Sequence, residues 1–157
     1  MPVLYGFTHS QYDRTGLEKI CNEMFGDTTL MEGLTEELMI VSYDYNNRTP
    51  RIFTKYGARI EPELYYTTFS NASQASSAAP TYFDPKVLNG SVLIDGGVIA
   101  NDPSMYAYLH SRDNLKKKKI RVISVGTGEP HPKEINPEEV TVFTWINLIG
   151  TLLTVTE

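Results

Sequence analysis

The sequence predicts an α/β layered fold, and three observations carry that expectation. Strand-like segments at 38–41, 51–55, 92–94 and 120–125 alternate with stretches of helical apolar spacing, the pattern of strands layered with helices. Turn chemistry falls between them, at Asn46-Asn47, Pro80, Asp95-Gly96-Gly97 and Gly126-Thr127-Gly128. The chain has 157 residues, 41% of them hydrophobic and 21% charged, which suits one ordinary globular domain and neither a disordered nor a membrane-spanning chain.

The first helix starts at Thr15-Gly16-Leu17-Glu18, which has the form of a capping box. Leu17, Ile20, Cys21, Met24 and Phe25 then share one helical face, and Gly26 is placed to end it. Leu38 to Val41 is an unbroken apolar run that suits a covered strand. Asp44 to Pro50 is a turn, and Arg51 to Lys55 returns as the second arm of a hairpin. Ser70 to Ala79 reads SNASQASSAA, a small-residue helix that can lie close on a sheet. Ala72, Ala75, Ala78 and Ala79 share its face, and Pro80 limits its extension.

Val92 to Ile94 is a strand that runs into Asp95-Gly96-Gly97. A helix follows, with Asp102 as its N-cap, Pro103 at its first position, and Met105, Tyr108 and Leu109 on one face. Ile120 to Val125 is the last expected strand. A proline-punctuated loop spans Glu129 to Pro137, and residues 142–153 have the spacing of a core helix too short and interrupted to cross a bilayer, which needs about 20 apolar residues.

The net charge of −5 argues against a nucleic-acid partner, which would need a basic face. The basic run Lys116 to Lys119 reads as a solvated loop or as a contact for anionic lipid headgroups. The single cysteine, Cys21, permits no intramolecular disulfide and reads as a buried inert thiol. His9, His110 and His131 have no metal-ligand spacing, so no metal and no other cofactor is expected. MPVLYGFTHSQYDR lacks the basic region and long apolar core of a signal peptide, and there is no transmembrane segment. An intracellular location, cytoplasmic or peripheral to a membrane, is expected.

Asp-Gly is first a turn signal. Two adjacent glycines leave room for a substrate, and the end of a buried strand is where α/β sheets place ligands, so Asp95 is also a functional candidate. Gly126-Thr127-Gly128 is not a dinucleotide loop: the third glycine would fall at His131, between Pro130 and Pro132. A serine hydrolase elbow, G-x-S-x-G, occurs nowhere in the 157 residues, and neither Ser91 nor Ser124 has the flanking glycines.

Five segments in this order, YDRTGLEKICNEMFGDTTL, IVSYDYNNRTPRIF, ASQASSAAPTYFDP, VLIDGGVIANDPSMYA and VISVGTG, resemble the patatin-like phospholipases, a family of lipid acyl hydrolases. The resemblance covers the chain from about Tyr12 to Gly128, most specifically at Ser77 to Phe83 and at Asp95-Gly96-Gly97. It implies a three-layer α/β/α fold around a mostly parallel sheet, of which residues 1–157 are expected to form a partial domain. It also implies a Ser–Asp dyad in which Asp95 is the proton acceptor, Gly96 and Gly97 shape its turn, and the Ala-rich helix with Tyr82-Phe83 borders the acyl site.

The family's Gly-rich oxyanion loop and serine elbow would precede Tyr12, and both are absent from this sequence. The family's Asn-Asn-Pro reads Asn101-Asp102-Pro103. Oxyanion stabilisation often contributes more than any other effect to the rate of acyl transfer, so the chain alone is expected to be inactive. The missing strands leave a sheet edge open, and another polypeptide is expected to cover it. Three readings follow: the Asp half of a phospholipid or acylglycerol hydrolase, a non-catalytic structural or assembly subunit, and a lipid-binding module that retains part of the acyl pocket.

Overall fold

The computed structural model describes residues 10–33, 36–126, 128, 140, 141 and 144. The chain divides into two compact units, Met1–Ile99 and Ala100–Glu157.

The first unit opens with α1 (Thr15–Phe25). The expected capping box does not form. The side chain of Asp13 takes the N-terminal role instead, accepting bonds from the Thr15 amide at 2.8 Å and its hydroxyl at 2.7 Å. Those two bonds hold the Asp13 carboxyl below its ordinary value. Glu18 is engaged by Arg14 at 3.5 Å. Gly26 ends the helix as expected, with φ 54 and its amide bonded to the Asn22 carbonyl. The apolar face is narrower than its periodicity: Cys21 is buried, but Ile20 and Met24 are 56% and 70% exposed. A helix resting on one neighbouring helix covers only a single strip of its own surface.

Strands β1 (Met39–Asp44) and β2 (Thr49–Thr54) form the expected hairpin, paired antiparallel from Met39↔Thr54 to Asp44↔Thr49. Asp44 fixes the turn: its two carboxylate oxygens accept the amide of Asn47 at 3.0 Å and the Asn47 side-chain amide at 2.9 Å. Two short helices, α2 (Lys55–Ile60) and α3 (Pro62–Tyr65), follow. The Thr54 hydroxyl caps the first by accepting the Gly57 amide at 2.7 Å, and Pro62 starts the second.

The small-residue helix is α4 (Phe69–Ser76), which ends before the alanine run does. Ala72, Ala75 and Ala78 are fully buried, so the small face lies inward as expected. Strands β3 (Lys86–Leu88) and β4 (Ser91–Asp95) complete a four-stranded sheet of order β2-β1-β4-β3. All three ladders among the described residues are antiparallel, whereas the resemblance implied a mostly parallel sheet. Local hairpins account for two of them, since short loops can join only antiparallel neighbours. Pro50 sits on β2, at one edge of the described sheet, where a missing N–H is tolerated. Leu30, Phe53, Leu64 and Leu93 are the largest fully buried side chains, and with Ala58, Phe69, Ala72 and Ala75 they make the core between sheet and helices. A one-turn helix, α5 (Gly97–Ala100), follows β4.

The second unit contains α6 (Ser104–Asp113). Asp102 accepts the Ser104 amide at 2.8 Å, so the helix starts one residue later than expected but on the same carboxylate. Met105, Tyr108 and Leu109 share a face that is exposed, and the buried residue is His110. The expected strand at 120–125 is absent. The segment has no ladder among the described residues, and Ile123 and Val125 are 78% and 89% exposed. Apolar β-branched residues favour extended backbone, but a strand also requires a partner's hydrogen bonds. The expected loop at Glu129–Pro137 and the helix expected at 142–153 lie outside the described residues. No helix of the described residues is long and apolar enough to cross a membrane.

Candidate functional site

Asp95 is the last residue of β4 and lies opposite Ser42 of β1 in the register. Strand, Gly96 turn and α5 follow one another within six residues. The backbone around Asp95 is fixed from three directions. The Ile94 carbonyl accepts the Ser42 hydroxyl at 2.7 Å. The amide of Asp95 donates to the Ala78 carbonyl at 3.0 Å, and the amide of Gly96 donates to the Ser76 carbonyl at 3.2 Å. Ser76 is the last residue of α4, where a helix leaves carbonyls without partners of its own, and Ala78 lies two residues beyond it. The early end of α4 therefore has a use: residues 76–78 hold the end of β4.

Gly96 meets a requirement different from the expected one. Its φ is not positive, so no left-handed turn demands a glycine here. A Cβ on Gly96 would instead lie 2.1 Å from the Val41 carbonyl oxygen and 2.6 Å from its carbon. The glycine lets the chain leave β4 pressed against the backbone of β1. Gly97 contributes its amide, which donates to Asp95 Oδ1 at 2.7 Å.

That bond leaves Asp95 Oδ2 without a hydrogen bond among the described residues. Partial burial pushes the carboxyl above its ordinary 3.8, and the Gly97 amide only partly counters it. A carboxylate with raised proton affinity, one anchored oxygen and one uncommitted oxygen is suited to accept a proton from a hydroxyl or a water.

The second unit contains a different serine–carboxylate contact. Asp102 Oδ2 accepts the Ser124 hydroxyl at 2.9 Å, and Oδ1 accepts both the amide and the hydroxyl of Ser104. These bonds, the Ser104 hydroxyl first, hold the Asp102 carboxyl below its ordinary value. A weakened base with both oxygens engaged secures the start of α6 and is poorly suited to activate a nucleophile.

Of the residues read from the sequence, Asp95, Gly96, Gly97 and the Ala-rich helix are brought together. Tyr82 and Phe83 pack on Tyr12, with ring centroids 6.0 Å apart in each pair, and Tyr12 also donates its amide to the Tyr82 carbonyl at 2.8 Å. Ser42 was not foreseen. Its one signal is a hydroxyl directly after the apolar run Leu38-Met39-Ile40-Val41, where an unpartnered polar group would be costly.

A family model for patatin-like phospholipase matches residues 3–108. The chain is 30% identical to patatin-like protein 2 of Oryza sativa subsp. indica over 164 aligned residues, covering 87% of this chain and 40% of that one. It is 30% identical to patatin-like protein 2 of Arabidopsis thaliana, with 92% and 41% covered. It is also 30% identical to a Solanum tuberosum protein named probable inactive patatin-3-Kuras 1, with 81% and 39% covered. The chain thus spans about two fifths of the length of these relatives.

Proposed function

Because the chain belongs to the patatin-like phospholipase family, we propose that it contributes the proton-accepting aspartate of a lipid acyl hydrolase. The observation that carries this reading is Asp95 itself, held at the end of β4 with Oδ2 uncommitted and its proton affinity raised by burial. The serine would come from outside these 157 residues, which contain no G-x-S-x-G. In the proposed reaction, the Asp95 carboxylate takes the serine hydroxyl proton as its oxygen attacks the ester carbonyl carbon of a phospholipid or acylglycerol. The proton passes to the departing alcohol as the ester bond breaks. A water then attacks the acyl-enzyme, giving its proton to Asp95. As the acyl–serine bond breaks, Asp95 returns that proton to the serine oxygen, so the fatty acid is released with the serine hydroxyl and the Asp95 carboxylate both restored.

The test supplies the family's elbow-bearing N-terminal segment, fused or added in trans. Ester hydrolysis and fluorophosphonate labelling of the added serine are expected together, with hydrolysis lost in Asp95→Asn. Hydrolysis that persists in Asp95→Asn refutes the role.

A second reading is a non-catalytic role as an assembly subunit or a lipid-binding module, with another polypeptide covering the sheet edge. Two observations favour it: the missing G-x-S-x-G, and the likeness to a relative named probable inactive. If the 157-residue chain alone took up fluorophosphonate and cleaved a phospholipid, this reading and the external serine would both fail.

A further inference from the structure

We propose that the second unit carries a docking groove for anionic phospholipid at a bilayer surface, with Lys117, Lys118 and Lys119 as its headgroup contacts. The ten residues from Arg112 to Arg121 hold six of the chain's 14 basic side chains and only one of its 19 acidic ones, in a chain of net charge −5. Sequence alone leaves that run as a solvated loop or a contact for anionic headgroups. The fold adds a shape to it. An open groove of about 580 Å³ is lined by Tyr108 and Arg112 of α6 together with Lys117, Lys118, Lys119 and Ile120.

The groove is built by the way the chain leaves α6. Lys116 takes φ 55, a left-handed conformation that a residue with a Cβ rarely adopts. The chain then turns back, and the Lys117 amide donates to the Ser111 carbonyl at 2.9 Å. The three lysines are thereby brought beside the last turn of the helix. There Arg112 lies over the Tyr108 ring at 5.7 Å and is held by Asp113 through two bonds of 2.6 and 2.7 Å. Asp113 neutralises Arg112, so the charge of the groove without an ion pair among the described residues belongs to the lysines.

A lipid surface suits this site better than another polyanion. The segment that leaves the groove exposes Val122, Ile123 and Val125. Such a row of apolar side chains beside lysines matches the boundary between headgroups and acyl chains. The choice of lipid over nucleic acid also rests on the lipid-hydrolase reading. The groove itself lies outside the proposed chemistry and does not depend on Asp95.

The test is co-sedimentation of the full chain with vesicles of phosphatidylcholine, alone or with about 30% phosphatidylserine, at about 0.1 M salt. The chain is expected to bind only the anionic vesicles and to release them near 1 M salt. Lys117→Gln, Lys118→Gln and Lys119→Gln combined should weaken partitioning about a hundredfold, since each lysine near the surface contributes about fivefold. The corresponding triple arginine variant should retain binding. Should the triple glutamine variant fail to fold, Lys118→Gln alone is expected to lose about fivefold. Equal binding to both vesicle types, an unaffected glutamine variant, displacement by inorganic phosphate or stronger binding to a single-stranded oligonucleotide would each overturn the proposal. Asp95→Asn separates the two readings: its vesicle binding should persist in this assay, whereas hydrolysis by the serine-supplemented enzyme is lost.

Discussion

The Ser42 hydroxyl donates a 2.7 Å hydrogen bond to the carbonyl of Ile94, the residue immediately before Asp95. Ser42 is fully buried and also reaches the Ala75 carbonyl at 3.3 Å. One hydroxyl thus ties together the sheet strand, the helix and the end of the strand that bears the candidate acid. Ser42→Ala should destabilise the fold by about 1–2 kcal/mol, because a part-buried carbonyl loses its donor. Urea unfolding should show the lower midpoint at unchanged slope, and an unshifted midpoint would mean that the bond contributes nothing.

Gly96→Ala should be more damaging than its small size suggests. The added Cβ would meet backbone atoms of Val41, which cannot swing aside as the end of a flexible side chain can. A loss of about 3 kcal/mol, at the upper end for overpacking, is expected from chemical denaturation. Gly16→Ala is the control: it lies within α1 with nothing near its Cβ position and should gain about 0.5–1 kcal/mol.

Asp95→Asn should trade stability against activity. The folded chain holds the Asp95 proton more tightly than the unfolded chain does, because burial raises the carboxyl above 3.8. This group therefore favours folding below that pH, and its contribution is lost as pH rises from 3.8 through the raised folded value. Asparagine carries no charge and keeps an acceptor for the Gly97 amide. The variant should melt higher than wild type above that window, with the difference closing below pH 3.8. In the serine-supplemented enzyme the same change should lower hydrolysis about 10²–10⁴-fold.

Asp44→Asn should show the opposite pH dependence. Burial is the largest single influence on Asp44 and raises its carboxyl, but hydrogen bonds from Ser91, Asn47 and Asn46 together outweigh it and leave the carboxyl below 3.8. Its contribution is present above that value and lost as pH falls through the depressed folded value. A loss of about 1–3 kcal/mol is expected at neutral pH, from the broken hydrogen bonds of a buried charged group. Thermal melts across acidic pH should show the variant and wild type converging.

Much of the first unit was legible in the sequence. Short-range rules found α1, the hairpin, the alanine face of α4 and the strand that runs into Asp95, because each is encoded within about ten consecutive residues, but they missed the one-turn α5 that follows. They failed where a distant partner decides the outcome. Ile20 and Met24 have the right period but stay exposed. Ile120 to Val125 has the composition of a strand and no ladder among the described residues.

At the candidate site the division is sharper. That Asp95 ends an apolar run followed by Gly96-Gly97 can be read from adjacent residues and nominates the acid, while the family resemblance needs all five segments in order. Why those residues are held as they are follows from the fold alone. Ser42 lies 53 positions from Asp95 in the sequence, and the carbonyls of Ser76 and Ala78 come from another element. Gly96 must be a glycine because of the Val41 backbone across the sheet, a steric demand that no local turn rule contains. Raised proton affinity likewise comes from burial by surrounding elements, so a carboxylate's chemical potency is a property of its packing and not of its name in the sequence.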